Sequence, residues 1–142
     1  MIDSKQALDR YGDPEREVNM TLFDVPTHLE LGAIPKRIYC NKDLVKPLTA
    51  ALTNVVDRQL VRHIRTWDGC FNIRKKRNSR TASLHSWGLA IDINAAWNRQ
   101  GSTPTMSLLL VKAFTDAGFE WGGTWRGKSI DGMHFQLKEF PK

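Results

Sequence analysis

Cysteine and tyrosine are scarce in this 142-residue chain, two of each. Cys40 and Cys70 are too few for a disulfide scaffold, and neither belongs to a Cys-x-x-Cys pair of the kind that holds a structural metal. They read as two buried thiols, with a single bridge between them as the alternative in an oxidising compartment. No run approaches the roughly 20 apolar residues needed to cross a bilayer. The opening residues Met1-Ile2-Asp3-Ser4-Lys5-Gln6 lack a basic-then-apolar leader pattern, which predicts a soluble protein made in the cytosol and no membrane insertion. Internal repeats, low-complexity tracts and linkers are missing too, so residues 1–142 are expected to form one domain. Gly122-Gly123 is not followed by Lys-Ser/Thr in P-loop register, which removes the support for nucleotide binding. No run of consecutive acids suggests a dedicated calcium loop.

What is present is enough apolar material for a core. Hydrophobic residues make up 41% and charged residues 25% of the chain, a mixture that excludes disordered and collagen-like classes. The net charge is +6, and it is concentrated. Between Arg58 and Arg80 stand eight basic residues (Arg58, Arg62, Arg65, Arg74, Lys75, Lys76, Arg77 and Arg80) against one acid, Asp68. Such a patch reads first as a site for an anionic peptide or polymer, because a planar guanidinium pairs bidentately with a carboxylate. Nucleic acid is the second reading, and a solvated loop is the functionless one.

Periodicity predicts an α+β arrangement. Ser4 to Tyr11 reads as a short helix capped by Ser4 and stopped by Gly12. Short strands are expected at Met20–Phe23 and Ile38–Cys40, separated by a segment that Pro26, Gly32 and Pro35 break. Leu44, Leu48, Leu52, Val55 and Val56 predict an amphipathic helix over residues 42–59, with Pro47 in or near its first turn. Leu60–Trp67 reads as a strand, followed by a polar loop that carries the basic patch. Leu89–Ile93 reads as a strand and Ser107–Ala117 as a helix whose Leu109, Leu110 and Phe114 enter the core. Phe119–Trp121 and His134–Leu137 close the list of expected strands.

Two of the four histidines have partners with chemistry in them. His28 and His63 stand alone and read as surface or structural residues. His85 opens His85-Ser86-Trp87-Gly88-Leu89-Ala90-Ile91-Asp92, and His134 follows Asp131 by three residues. Two imidazoles and one carboxylate are a zinc set that leaves the fourth tetrahedral position for water, as hydrolysis requires. Alternation along the strand turns Asp92 away from Ile91 and Ile93 and towards a cleft. Asp131 would then be the general base that takes the proton of water and returns it to the leaving amine, and the two aspartates could exchange these roles. Trp87, Trp121 and Trp125 line a groove or simply pack with their indole N–H satisfied.

Three blocks narrow this further: Ser83–Asn94, Gly118-Phe119-Glu120-Trp121-Gly122-Gly123-Thr124-Trp125 and Asp131-Gly132-Met133-His134-Phe135. In this order they resemble the zinc D-alanyl-D-alanine carboxypeptidases and L-alanyl-D-glutamate endopeptidases, a family that includes phage endolysins. The likeness runs from about Ile38 onward. It implies a small antiparallel sheet flanked by helices, shared with lysostaphin-type enzymes and the hedgehog signalling domain. Residues 1–37 become an N-terminal extension that either covers the cleft or braces the fold. It implies that His85, Asp92 and His134 bind Zn2+ and that Asp131 is the catalytic acid/base. Ser83 and Arg74, with Arg77 as the alternate, would hold a substrate carboxylate, beside Trp87 and Trp125. The base is Asp where many relatives have Glu, one methylene shorter. The implied activity is cleavage of peptidoglycan stem peptides. L-alanyl-D-glutamate endopeptidase action by a monomeric phage endolysin is expected first, made in the host cytoplasm and acting on the wall after release, or carried on a virion. D-alanyl-D-alanine carboxypeptidase is the alternative. Nucleic acid is not an expected partner. The rival of another class is a noncatalytic basic module that binds wall polymer or nucleic acid.

Overall fold

Leu48, Ala51, Leu52 and Val55 recur at helical spacing, and all four side chains are fully buried. They belong to helix α2, Val45–Asp57, the central helix of a computed structural model that describes residues 1–75 and 81–142. Before α2 the chain makes a single 3-10 turn, Lys42–Leu44, capped by the Asn41 side chain, which accepts the Asp43 amide at 2.9 Å. Pro47 falls in the first turn of α2, where its missing N–H costs nothing. Helix α1, Ser4–Tyr11, is capped one residue earlier than the sequence suggests. Asp3 accepts the Gln6 amide at 2.8 Å, and the Gln6 side chain accepts the Asp3 amide at 2.9 Å. That reciprocal box satisfies two helix-end donors, which a Ser4 cap would not.

Two antiparallel sheets are present among the described residues, where the sequence predicts one. Strands β1, Met20–Asp24, and β2, Arg37–Asn41, pair only with each other. The larger sheet contains β3 (Trp67–Gly69), β4 (Ala90–Ile93), β5 (Phe119–Trp121) and β6 (His134–Leu137), in the spatial order β3-β4-β6-β5. In the β4–β6 ladder Asp92 is paired with His134, Ile91 with Phe135 and Ala90 with Gln136. Period-2 alternation therefore sends Ile91, Ile93, Phe135 and Leu137 to one face. There they meet helix α3, Leu108–Thr115, whose Phe114 ring lies 4.8 Å from Phe135. The opposite face carries Asp92, His134 and Gln136.

Several expectations are corrected. Leu60–Trp67 is not a strand: a 3-10 turn occupies Val61–His63, and β3 begins only at Trp67. The cause is Asn94, left-handed at φ 53°, whose side-chain oxygen accepts the amides of Arg65 and Thr66 and so replaces the ladder partners a strand would need. On α3, Leu110, Val111, Ala113 and Phe114 are buried, but Leu109 is 65% exposed and contributes nothing to the core. Cys40 and Cys70 are both free buried thiols, so the bridge is not formed. Ile2, Ala7, Tyr11, Phe23, Leu29 and Ile34 share one hydrophobic cluster with the strands and helices that follow. No helix among the described residues is long and apolar enough to cross a membrane.

Candidate metal centre

His85 stands in a short 3-10 turn, Leu84–Trp87, which Ser83 caps by accepting the His85 amide at 3.3 Å. Gly88 ends the turn at φ 66°, and a Cβ there would come within 2.6 Å of the Asn41 amide nitrogen. Only glycine lets the chain pass that point and enter β4. Four residues later Asp92 leaves β4 directly across from His134 on β6.

His85 Nε2, Asp92 Oδ1 and His134 Nδ1 converge. The two imidazole nitrogens are 3.2 Å apart, and Asp92 Oδ1 lies 3.1 Å from His85 and 3.5 Å from His134. Bonds of about 2.0–2.1 Å at tetrahedral angles put zinc ligand atoms about 3.3 Å apart, so the triangle has the right size for that ion.

The protons agree with the distances. His85 Nδ1 lies 2.7 Å from the Cys70 carbonyl, which can only accept, so Nδ1 carries the hydrogen and Nε2 presents its lone pair. His134 Nε2 donates to Gln136 Oε1 at 2.8 Å, which leaves Nδ1 facing the triangle. Gln136 is oriented for this by donating its Nε2 to the Ile2 carbonyl at 3.4 Å. Three electron-pair donors thus face one point and need one positive charge between them. Burial pushes the Asp92 carboxyl up, but hydrogen bonds and charge from His134 and His85 outweigh it and hold it well below the usual carboxylate range. Burial pulls His134 down, and the Asp92 hydrogen bond and charge more than reverse it. A proton can supply the missing charge, and a divalent cation can replace it.

Asp131 sits at the rim. Its Oδ2 is 4.0 Å from His134 Nδ1, and its Oδ1 is buried without a hydrogen-bond partner. Burial raises its pKa, and the nearby Asp92 charge adds to that, against the opposing pull of His134, His85 and Arg74. The backbone holds it there: the Asp131 amide donates to the Gly122 carbonyl at 2.9 Å. A Cβ on Gly122 would lie 2.5 Å from the Asp131 carbonyl oxygen.

A cleft of about 540 Å³ opens over the trio, lined by Arg74, Ser83, Trp125, Asp131, His134 and Gln136 among others. Arg74 reaches to 3.7 Å from Asp92 Oδ2, and its backbone is clamped by the buried Ser86 hydroxyl, which bonds both its amide and its carbonyl at 3.0 Å. The Trp125 ring lies 5.3 Å from the His134 ring. Trp87 is placed elsewhere: it is buried, with its Nε1 donating to the Gly12 carbonyl. Trp121 is likewise buried, bonded to the Gly132 carbonyl. Arg77 lies outside the described residues. The sequence reading missed Gln136, Lys128 and Gln100 in the cleft, and Met1, Ile2 and Asp3 along its wall. For Gln136 a signal existed, since two residues along a strand from His134 is the same face. A second groove, of about 520 Å³, is lined by Arg62, Arg65 and Trp97 and holds one histidine and no carboxylate, so it offers no comparable ligand set.

A family model described as D-alanyl-D-alanine carboxypeptidase matches residues 77–137. Over this segment, a little under half of the chain, the protein is similar to that peptidase family. The segment contains Ser83, His85, Asp92, Asp131 and His134, and starts well after the Ile38 from which the resemblance was expected to run. The matched segment thus supplies all three converging side chains, while Arg74 and the Met1–Asp3 wall come from outside it. No curated protein and no solved structure matched the chain.

Proposed function

We propose that the protein is a zinc-dependent peptidase that hydrolyses stem-peptide bonds of peptidoglycan. The observation that carries this reading is the triangle of His85, Asp92 and His134 lone pairs beside the unpartnered oxygen of Asp131. Zinc held by these three side chains would supply Lewis acidity for a peptide carbonyl and for water. Asp131 does the proton work. As a carboxylate it takes a proton from the attacking water, and as an acid it returns that proton to the departing amine when the C–N bond breaks. Its raised pKa suits both halves of the task. Asp131 has the shorter side chain at this position, and the Gly122 backbone contact supports the carboxylate within reach of the ligand atoms.

Arg74 and Ser83 at the cleft edge are the groups for a substrate carboxylate, and Trp125 gives the peptide an apolar wall. A stem peptide has free carboxylates, and the net charge of +6 favours encounter with an anionic wall. Within this reading we propose first a phage endolysin that cuts between L-alanine and D-glutamate, for which the basic charge is the support. The matched family's description favours a second reading, D-alanyl-D-alanine carboxypeptidase. Digestion of purified sacculi with the zinc-loaded protein, followed by mass spectrometry of new termini, tests both. New N-terminal D-glutamate supports the endopeptidase, release of D-alanine alone supports the carboxypeptidase, and no new terminus rejects the peptidase.

A further inference from the structure

The wall formed by Met1, Ile2 and Asp3 has no counterpart in the segment that matches the peptidase family, which begins at residue 77. Three attachments fix it. Asp3 caps α1, the Ser4 hydroxyl donates to the Ala82 carbonyl just before Ser83, and the Ile2 carbonyl accepts from Gln136. The Ile2 side chain is buried in the common core, while Met1 is exposed at the cleft mouth.

Gln136 connects this wall to the metal centre. It is only 4% exposed, and its amide is used at both ends, the oxygen by His134 Nε2 and the nitrogen by Ile2. An amide can rotate by half a turn at little intrinsic cost, and that flip would offer an N–H to His134 Nε2. His134 would then have to shift its hydrogen to Nδ1, where it would occupy the lone pair needed by the metal. The Ile2 carbonyl opposes the flip because it can only accept.

We propose that Met1–Asp3 is a working wall of the cleft, coupled to His134 through Gln136. Ile2 and Gln136 are positioning residues: neither touches the ion, and together they hold one ligand in the tautomer that can bind it. The inference rests on the metal-site reading above. The His134 leg, at 2.8 Å, is the stronger, and the Ile2 leg, at 3.4 Å, is the weaker, so their loss should differ in size.

The test uses the full chain and the zinc ion alone, titrated against a chromophoric chelator, with hydrogen exchange of the amides of residues 2–11 followed with and without zinc. Gln136→Met keeps the volume and removes both bonds. It should weaken zinc binding about 10- to 100-fold. Gln136→Glu restores an acceptor for His134 and removes the donor for Ile2, so zinc affinity should recover while the N-terminal amides lose the extra protection that zinc confers. Ser4→Ala, which touches no ligand, should weaken zinc binding by a smaller factor, about 2- to 10-fold. Equal zinc affinity of Gln136→Met and the unmodified chain would overturn the relay. N-terminal exchange that ignores zinc in the unmodified chain would overturn the coupling of the wall. Failure of the unmodified chain to bind zinc would instead remove the metal-site reading, a different result from either.

Discussion

Asp92 and His134 are directly opposed across the β4–β6 ladder, and this pairing brings two distant parts of the chain onto one face of the sheet. The third member, His85, comes from a turn that Gly88 redirects into the same strand β4. A one-residue slip of register would turn Asp92 into the core and Ile91 or Ile93 into the cleft.

Metal binding should depend on all three side chains. His85→Ala, His134→Ala and Asp92→Ala should each abolish stoichiometric zinc, read by elemental analysis after dialysis. Chelation of the unmodified protein should abolish hydrolysis of sacculi, and added zinc should restore it.

Asp131→Asn should keep zinc and lose about 10²- to 10⁴-fold in kcat, the range for removing a general acid–base. In the metal-free protein the same substitution should raise the melting temperature at pH 7. The folded protein raises this carboxyl's pKa, so its ionisation disfavours folding. That penalty is complete above the folded pKa and disappears below the unfolded value near 3.8. The stabilisation should therefore vanish in melts at pH 3, and a gain that persists there would contradict the assignment.

Arg74→Gln should raise KM for stem peptides about 10- to 100-fold, the equivalent of one charged hydrogen bond. Its side chain is 44% exposed, so thermal stability should hardly move. An unchanged KM would place the substrate carboxylate elsewhere.

Gly122→Ala brings a methyl group against the Asp131 carbonyl, so the loop must shift. Activity should fall more steeply than zinc content, because Asp131 itself must move while the ligand His134 is disturbed only through its amide, which donates to that same carbonyl at 3.1 Å. Steady-state kinetics together with elemental analysis separates the two effects.

Both thiols should be inert in the folded protein. Burial pushes Cys40 up to about 12 and raises Cys70 well above its ordinary value. Iodoacetamide should label neither until the protein is unfolded, and a reducing agent should leave the melting curve unchanged.

Local rules made much of this legible in the sequence. β5 and β6 fall on the expected residues, and the alternation around Asp92 gives its direction. What local reading missed was decided at long range. Leu60–Trp67 has strand composition, but Asn94, almost thirty residues later, takes its amides. Leu109 is as apolar as Leu110, and only the position of α3 against α2 and the sheet decides which is buried. Asp3 rather than Ser4 caps α1 because Gln6 completes the reciprocal pair. Trp87 sits beside a candidate ligand in sequence, yet its indole turns to Gly12. The Ile2–Gln136 bond joins residues 134 positions apart, and no spacing rule anticipates it.

Asp131 is suspended from a loop by the Gly122 carbonyl, whereas Asp92 and His134 are built into the sheet. The acid and the cage therefore meet at one backbone joint, the His134 amide donating to the Asp131 carbonyl at 3.1 Å. Any edit of that loop which re-aims the acid also pulls on the strand that carries a ligand, so drift in this segment is constrained from both sides.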